Sequence, residues 1–328
     1  MRNRVFRKIA SLIIVFAGTT ALFPEFVGAQ AARIEVHPLQ TMTLTDEEFL
    51  TGAKDGKPTV IAGELRIPRP GTDRLPAVVL VHGSYGVGPN VDLWSQNLNG
   101  IGVATFILDS FTGRGITNTV TNQAQLGQLA VIYDAYRALE LLSKHPRIDP
   151  ARIGIMGFSR GGHAVLYASL KRFQRMHGPG GVEFAAYIPF YAICYRTYID
   201  DIEVSNRPIR LFHGSADDWC PVAPCRAYVE RLRRAGKDVE LTEYPEAQHL
   251  FDAPTLKAPT HLPEVQNLRH CATQENPVGQ IINSQTKQPF SYNDPCVERG
   301  ATVAYNAQAH TEALKAVKDF LTVTFKLK

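Results

Sequence analysis

No two cysteines in this chain form a C-x-x-C pair, and no apolar run after the first thirty residues is long enough to span a bilayer. Internal repeats and low-complexity tracts are missing as well. The five cysteines are Cys194, Cys220, Cys225, Cys271 and Cys296, and His270 stands beside only one of them. A zinc centre built on thiolates is therefore not expected, nor any other metal or cofactor. A strong charge excess is lacking too. The net charge of +4 falls to about +1 once residues 1–29 are set aside, because these carry Arg2, Arg4, Arg7 and Lys8 against Glu25. So balanced a remainder gives no electrostatic footprint for nucleic acid or an anionic membrane surface.

Residues 1–29 read as an export signal peptide: a basic start, a mostly apolar stretch from Ile9 to Leu22, and small residues at Val27-Gly28-Ala29. Ser11, Gly18, Thr19 and Thr20 interrupt the apolar stretch and Pro24 follows it, which favours cleavage over anchoring. Residues 30–328 are then expected to form one periplasmic or extracellular domain with no stable membrane insertion. Such a compartment permits disulfides, and an odd cysteine count leaves one thiol over.

What is present is an alternation of two patterns. Short apolar, β-branched runs at 76–81, 102–108, 152–156, 185–190, 209–212 and 239–244 fit strands buried on both faces. Helical periodicity occupies 126–142, 162–173, 223–235 and 307–321. Alternating strands and helices predict an α/β fold, a mostly parallel central sheet with helices on both faces. Residues 60–67 alternate apolar with polar and are expected as antiparallel structure at the sheet edge. Residues 253–300, rich in Pro, Asn, Gln and Thr, break the pattern and read as an insertion without regular structure, held by a Cys271–Cys296 crosslink. Cys194 and Cys225 both follow predicted strands near one sheet edge and form a second candidate pair, which leaves Cys220 as the free thiol.

The chemistry concentrates at Gly157-Phe158-Ser159-Arg160-Gly161, a Gly-x-Ser-x-Gly segment between a predicted strand and a predicted helix. In that setting the serine occupies a strained turn, and the glycines lack the Cβ atoms that would collide where the chain doubles back. Ser159 is the candidate nucleophile, and the Arg160 backbone N–H points toward a developing oxyanion. A serine hydroxyl needs a base and a group to orient that base. After the next predicted strands come Asp217, in His213-Gly214-Ser215-Ala216-Asp217, and His249, in Tyr244-Pro245-Glu246-Ala247-Gln248-His249. This order of nucleophile, acid and histidine is that of the α/β-hydrolase fold.

Together with His82-Gly83 and Pro221, these segments resemble the dienelactone hydrolase family, specifically its exported members, over roughly residues 60–320. The resemblance implies an α/β-hydrolase fold and a small-molecule ester or lactone substrate cleaved through an acyl-enzyme. It implies Asp217 rather than Asp218 as the acid, and the Ser84 backbone N–H as second oxyanion donor. His82 and His213 are expected to fix loop backbone and His163 to sit behind the nucleophile. The sequence departs from the namesake enzymes in having Ser159 where they carry cysteine, and Gly83 where they carry an activating glutamate, so their chloro-aromatic lactone activity does not carry over. Arg114 is a candidate for pairing with a substrate carboxylate or, equally, with loop carbonyls and Asp109. The insertion is expected either to overhang the pocket or to stabilise the fold, with Trp219 and Tyr85 as candidate apolar walls. A serine peptidase related to the prolyl oligopeptidase group and a catalytically silent binding protein are the competing functional readings.

Overall fold

The computed structural model describes residues 31–327; the expected signal peptide lies outside them. Thirteen strands and seven helices follow one another: β1 (Arg33–Thr43), α1 (Asp46–Thr51), β2 (Lys57–Ile67), β3 (Leu75–Val81), α2 (Pro89–Asn99), β4 (Ala104–Asp109), α3 (Ala130–Lys144), β5 (Ile148–Phe158), α4 (Arg160–Tyr167), α5 (Lys171–His177), β6 (Tyr187–Phe190), β7 (Arg196–Thr197), β8 (Ile209–Gly214), α6 (Ala223–Arg234), β9 (Val239–Tyr244), β10 (Thr260–Asn267), β11 (Thr273–Glu275), β12 (Ile281–Asn283), β13 (Glu298–Val303) and α7 (Ala307–Thr324). Eight strands form the main sheet in the order β1-β2-β4-β3-β5-β6-β8-β9. Pairs β1–β2 and β2–β4 are antiparallel, and the rest of the sheet is parallel.

The continuous apolar run of β3 explains why it lies inside. Ala77, Val79 and Val81 pack into one core with residues of α3, α4 and α6, while Val78 and Leu80 pack into a second core with α2 and α7. Side-chain alternation along a strand thus fills both layers from one segment. The result is the α/β-hydrolase architecture.

Three local expectations are corrected. Strand β2 is not at the edge; β1 covers it in an unbroken antiparallel register from Arg33↔Ile67 to Thr43↔Lys57. Pro38 within β1 masks the strand pattern, and an edge position is where a proline is tolerated. Helix α3 begins at Ala130 rather than 126, because a short 3₁₀ turn occupies residues 123–125 and the Leu126 carbonyl accepts from the Arg160 guanidinium. The helix expected over 162–173 is two helices, parted where Ser169 and Lys171 exchange backbone hydrogen bonds with residues 203–205.

The insertion is also more regular than its composition suggests. Strands β10 and β13 form an antiparallel ribbon, and β11 pairs with both β12 and β7. Register shifts between Leu262 and Gln266, around Pro263, which has no N–H to donate. Disulfides join Cys271 to Cys296 and Cys194 to Cys225, and Cys220 is free and buried. Closing a loop of 25 residues by the first crosslink is worth about 3 kcal/mol in the chain-entropy account. Among the described residues no helix is long and apolar enough to cross a membrane.

Candidate active site

Ser159 stands between β5 and α4 with φ 54° and ψ −113°, a backbone state that non-glycine residues avoid. Close packing enforces this turn. A Cβ on Gly157 would lie 2.5 Å from the Gly161 carbonyl oxygen, and one on Gly161 would lie 2.2 Å from that of Val81. A Cβ on Gly83 would come within 3.1 Å of the Phe158 carbonyl oxygen, which seats the loop after β3 against the elbow.

The loops after β8 and β9 deliver the other two side chains to the same carboxyl edge of the sheet, where open α/β sheets build their sites. His249 Nδ1–H donates to Asp217 Oδ2 at 2.7 Å, which leaves Nε2 to accept from the Ser159 hydroxyl at 3.0 Å. Asp217 Oδ1 accepts from the Trp219 and Cys220 amides at 2.9 and 2.8 Å. Burial pushes the Asp217 carboxyl up, but the adjacent His249 and His213 imidazoles outweigh it and hold the group well below its usual range.

Around this chain the structure adds Tyr191, Asp252, Trp94 and Gln123, which sequence reasoning missed. The Tyr191 and Trp219 rings flank the His249 ring at 4.6 and 5.0 Å between centroids. Tyr191 donates to buried Asp252 at 2.8 Å, and Trp94 donates to the other carboxylate oxygen at 2.7 Å. The Ala304 amide donates to the His249 carbonyl, so the segment just past β13 pins the histidine loop. On the opposite side, the Arg160 guanidinium donates to Gln123 Oε1 at 2.7 Å, and Gln123 Nε2 donates to Ser84 Oγ at 3.0 Å. The Gln123 amide in turn donates to Gln266 Oε1 of β10 at 2.6 Å. One buried glutamine therefore links the Ser84 loop, the elbow helix and the insertion.

The Arg160 amide is the first of α4 and has no intrahelical acceptor. The Ser84 amide has none among the described residues either. Both residues belong to the loops that meet at Ser159, and Ser84 lines the cleft beside it. That cleft measures about 270 Å³, and Tyr85 and Trp219 form part of its wall.

The remaining candidates stand elsewhere. Arg114 is buried against Asp134, with Nη1 2.7 Å from Oδ2, and donates to the Ser110 and Met42 carbonyls; it does not face a substrate. Asp218 accepts from the Thr302 amide and anchors β13. His82 Nδ1–H donates to the Gly83 carbonyl while Nε2 accepts from the Ser110 amide, and His213 donates to the Cys220 carbonyl. His163 bridges the Ile193 carbonyl and the Tyr198 hydroxyl, and burial pulls its pKa down to about 3. Burial and the Asp217 charge push the Cys220 thiol well above its usual range, so it stays protonated. Glu35, His37 and His145 offer the sole grouping of metal-type ligands among the described residues. The Arg147 amide donates to His145 Nδ1, so Nε2 carries the proton that Glu35 accepts, and the group reads as a hydrogen-bonded cluster.

Residues 62–325 match the dienelactone hydrolase family model. Among curated proteins, LipM of Mycobacterium tuberculosis, assigned as a carboxylic ester hydrolase, is 25% identical over 52% of this chain and 55% of its own length. A Yersinia pestis protein assigned as a carboxymethylenebutenolidase is 25% identical over 67% of this chain and 83% of its own. A further match, the uncharacterized Bacillus subtilis peptidase YuxL, is 24% identical over 34% of this chain, which spans only 20% of that protein. Among solved structures, the dienelactone hydrolase-like promiscuous phosphotriesterase P91 from metagenomic libraries superposes with TM-score 0.57 at 17% identity, covering 90% of this chain and 98% of its own. That likeness carries the fold. The family pattern over most of the chain carries the membership: this protein belongs to the dienelactone hydrolase family.

Proposed function

We propose that this protein is a serine hydrolase that cleaves carboxylic esters or lactones. The observation that carries the reading is the unbroken hydrogen-bond chain from Asp217 through His249 to a serine held at positive φ. In the mechanism, His249 takes the Ser159 proton as Oγ bonds to the acyl carbon, and the Asp217 carboxylate holds the ring in the tautomer that can accept it. The Arg160 and Ser84 amides receive the charge on the former carbonyl oxygen. His249 returns the proton to the departing alkoxide, and a water deprotonated at the same nitrogen releases the acyl group. Ester and lactone substrates are what the names of the Mycobacterium and Yersinia relatives support.

Two disulfides are the chemistry of an oxidising compartment, and with the signal-like start they support a periplasmic or extracellular enzyme. A serine nucleophile suits that setting, since a reactive thiolate there is open to oxidation. The test is a panel of esters, lactones and peptides assayed with wild type and Ser159→Ala. Ester or lactone turnover that falls by roughly 10³-fold or more in the variant is expected. Turnover unchanged in the variant excludes the serine mechanism, and preferential peptide cleavage favours the peptidase reading.

A further inference from the structure

We propose that the cleft takes uncharged substrates with a short apolar acyl group, and that the insertion sets the length limit. This rests on the serine-hydrolase reading and narrows its substrate class. Among the described residues no Lys, Arg, Asp or Glu lines the cleft, and its walls include Tyr85, Trp219, Leu250, Leu256, Leu262 and Val303. Arg160, next to Ser159 in the chain, and Arg114, the candidate for a substrate carboxylate, are already committed: Arg160 to Gln123 and the Leu126 carbonyl, Arg114 to Asp134. A substrate carboxylate entering this space sheds its hydration and meets no counter-charge, which opposes binding in ground and transition states alike.

Size follows from the same walls. A volume of about 270 Å³ lies below the roughly 300–1,000 Å³ of drug-sized ligand sites. Leu256 and Leu262 come from the insertion and pack against the cluster of Val120, Trp219, Val265, Ala301 and Val303, so the far wall is backed by structure and does not hang free. Shortening either leucine lengthens the space available to an acyl chain.

Two assays test this. The first compares 5-oxotetrahydrofuran-2-carboxylate with its carboxamide, isosteres that differ by one charge, as lactone substrates. A preference of about 100-fold or more in kcat/KM for the neutral carboxamide is expected, equivalent to about 2.7 kcal/mol. The second runs 4-nitrophenyl acetate through octanoate, with an expected optimum at acetate to butyrate; Leu262→Ala and, separately, Leu256→Ala should raise octanoate relative to acetate by about tenfold. Equal or better turnover of the carboxylate, or a chain-length profile that neither variant moves, overturns the proposal. Fluorophosphonate labelling of Ser159 separates the two levels. With labelling present, those results sink only the substrate class; with no labelling and no turnover, the hydrolase reading falls and this inference with it.

Discussion

The sheet and the insertion present the site with two kinds of support. In the sheet the support is apolar and continuous, two cores sharing one layer of strands, and it sets Ser159 just past β5 and Asp217 in the loop after β8. The insertion lends Ile281 and Phe290 to the larger core but otherwise has a small apolar cluster, and it relies on a crosslink and on polar contacts such as that from Trp219 Nε1–H to the Gln266 carbonyl. Yet it and the residue just past β13 hold two parts of the candidate site: Gln123, through Gln266, and the His249 carbonyl, through Ala304. The comparison teaches that a segment with little core of its own can act as the rear brace of the loop that carries His249.

The largest effect should come from the relay. Asp217→Asn keeps the shape but lets the imidazole adopt the wrong tautomer, and kcat should fall by roughly 10³–10⁴-fold in an ester assay. A fall of less than tenfold would mean that the carboxylate only caps its own loop. Next in size are two stability changes that set the regions against each other. Leu80→Ala in the sheet should cost about 2–5 kcal/mol in denaturant unfolding. Removing the Cys271–Cys296 crosslink by a double serine substitution should cost about 3 kcal/mol and also lower kcat, because the brace behind His249 loosens. Full activity at full occupancy of the folded state would break the idea that the insertion supports the histidine. A smaller change is expected for Gln123→Ala: kcat down by about tenfold, which is 1.4 kcal/mol, with KM within about twofold. A rise in KM alone would place Gln123 in substrate binding instead.

The smallest effect is a pH signature. The Asp217 carboxyl lies below its usual value of 3.8 in the folded protein, so its stabilising contribution is complete above that value and is lost as the pH falls through the lower, folded one. The gap in unfolding free energy between wild type and Asp217→Asn should therefore be flat from neutral pH down to about pH 5 and close below 3.8. A gap that closes near neutral pH contradicts the depressed carboxyl.

The parts legible in the sequence were those whose spacing is local. Glycines two residues either side of Ser159, and an acid and a histidine each a few residues beyond a strand, follow from backbone geometry that any chain must satisfy. The illegible parts depend on residues far apart in the chain. Gln123 meets Gln266 at a separation of 143, and Trp94 meets Asp252 at 158, with nothing local to mark either member. Strands β11 and β12 are three residues each and partly polar, too short for alternation to register. Asp252 belongs to no motif in the sequence, and only its burial between Trp94 and Tyr191 marks it as structural.

The central claim is that Ser159 is made nucleophilic by His249. It is tested most directly by the rate of labelling with a fluorophosphonate, followed by intact mass and peptide mapping, in wild type and His249→Ala. Rapid single-site labelling at Ser159 in wild type and a loss of roughly 10³-fold or more in rate in the variant are predicted. Equal rates in both proteins, or a label mapped to any other residue, would contradict it.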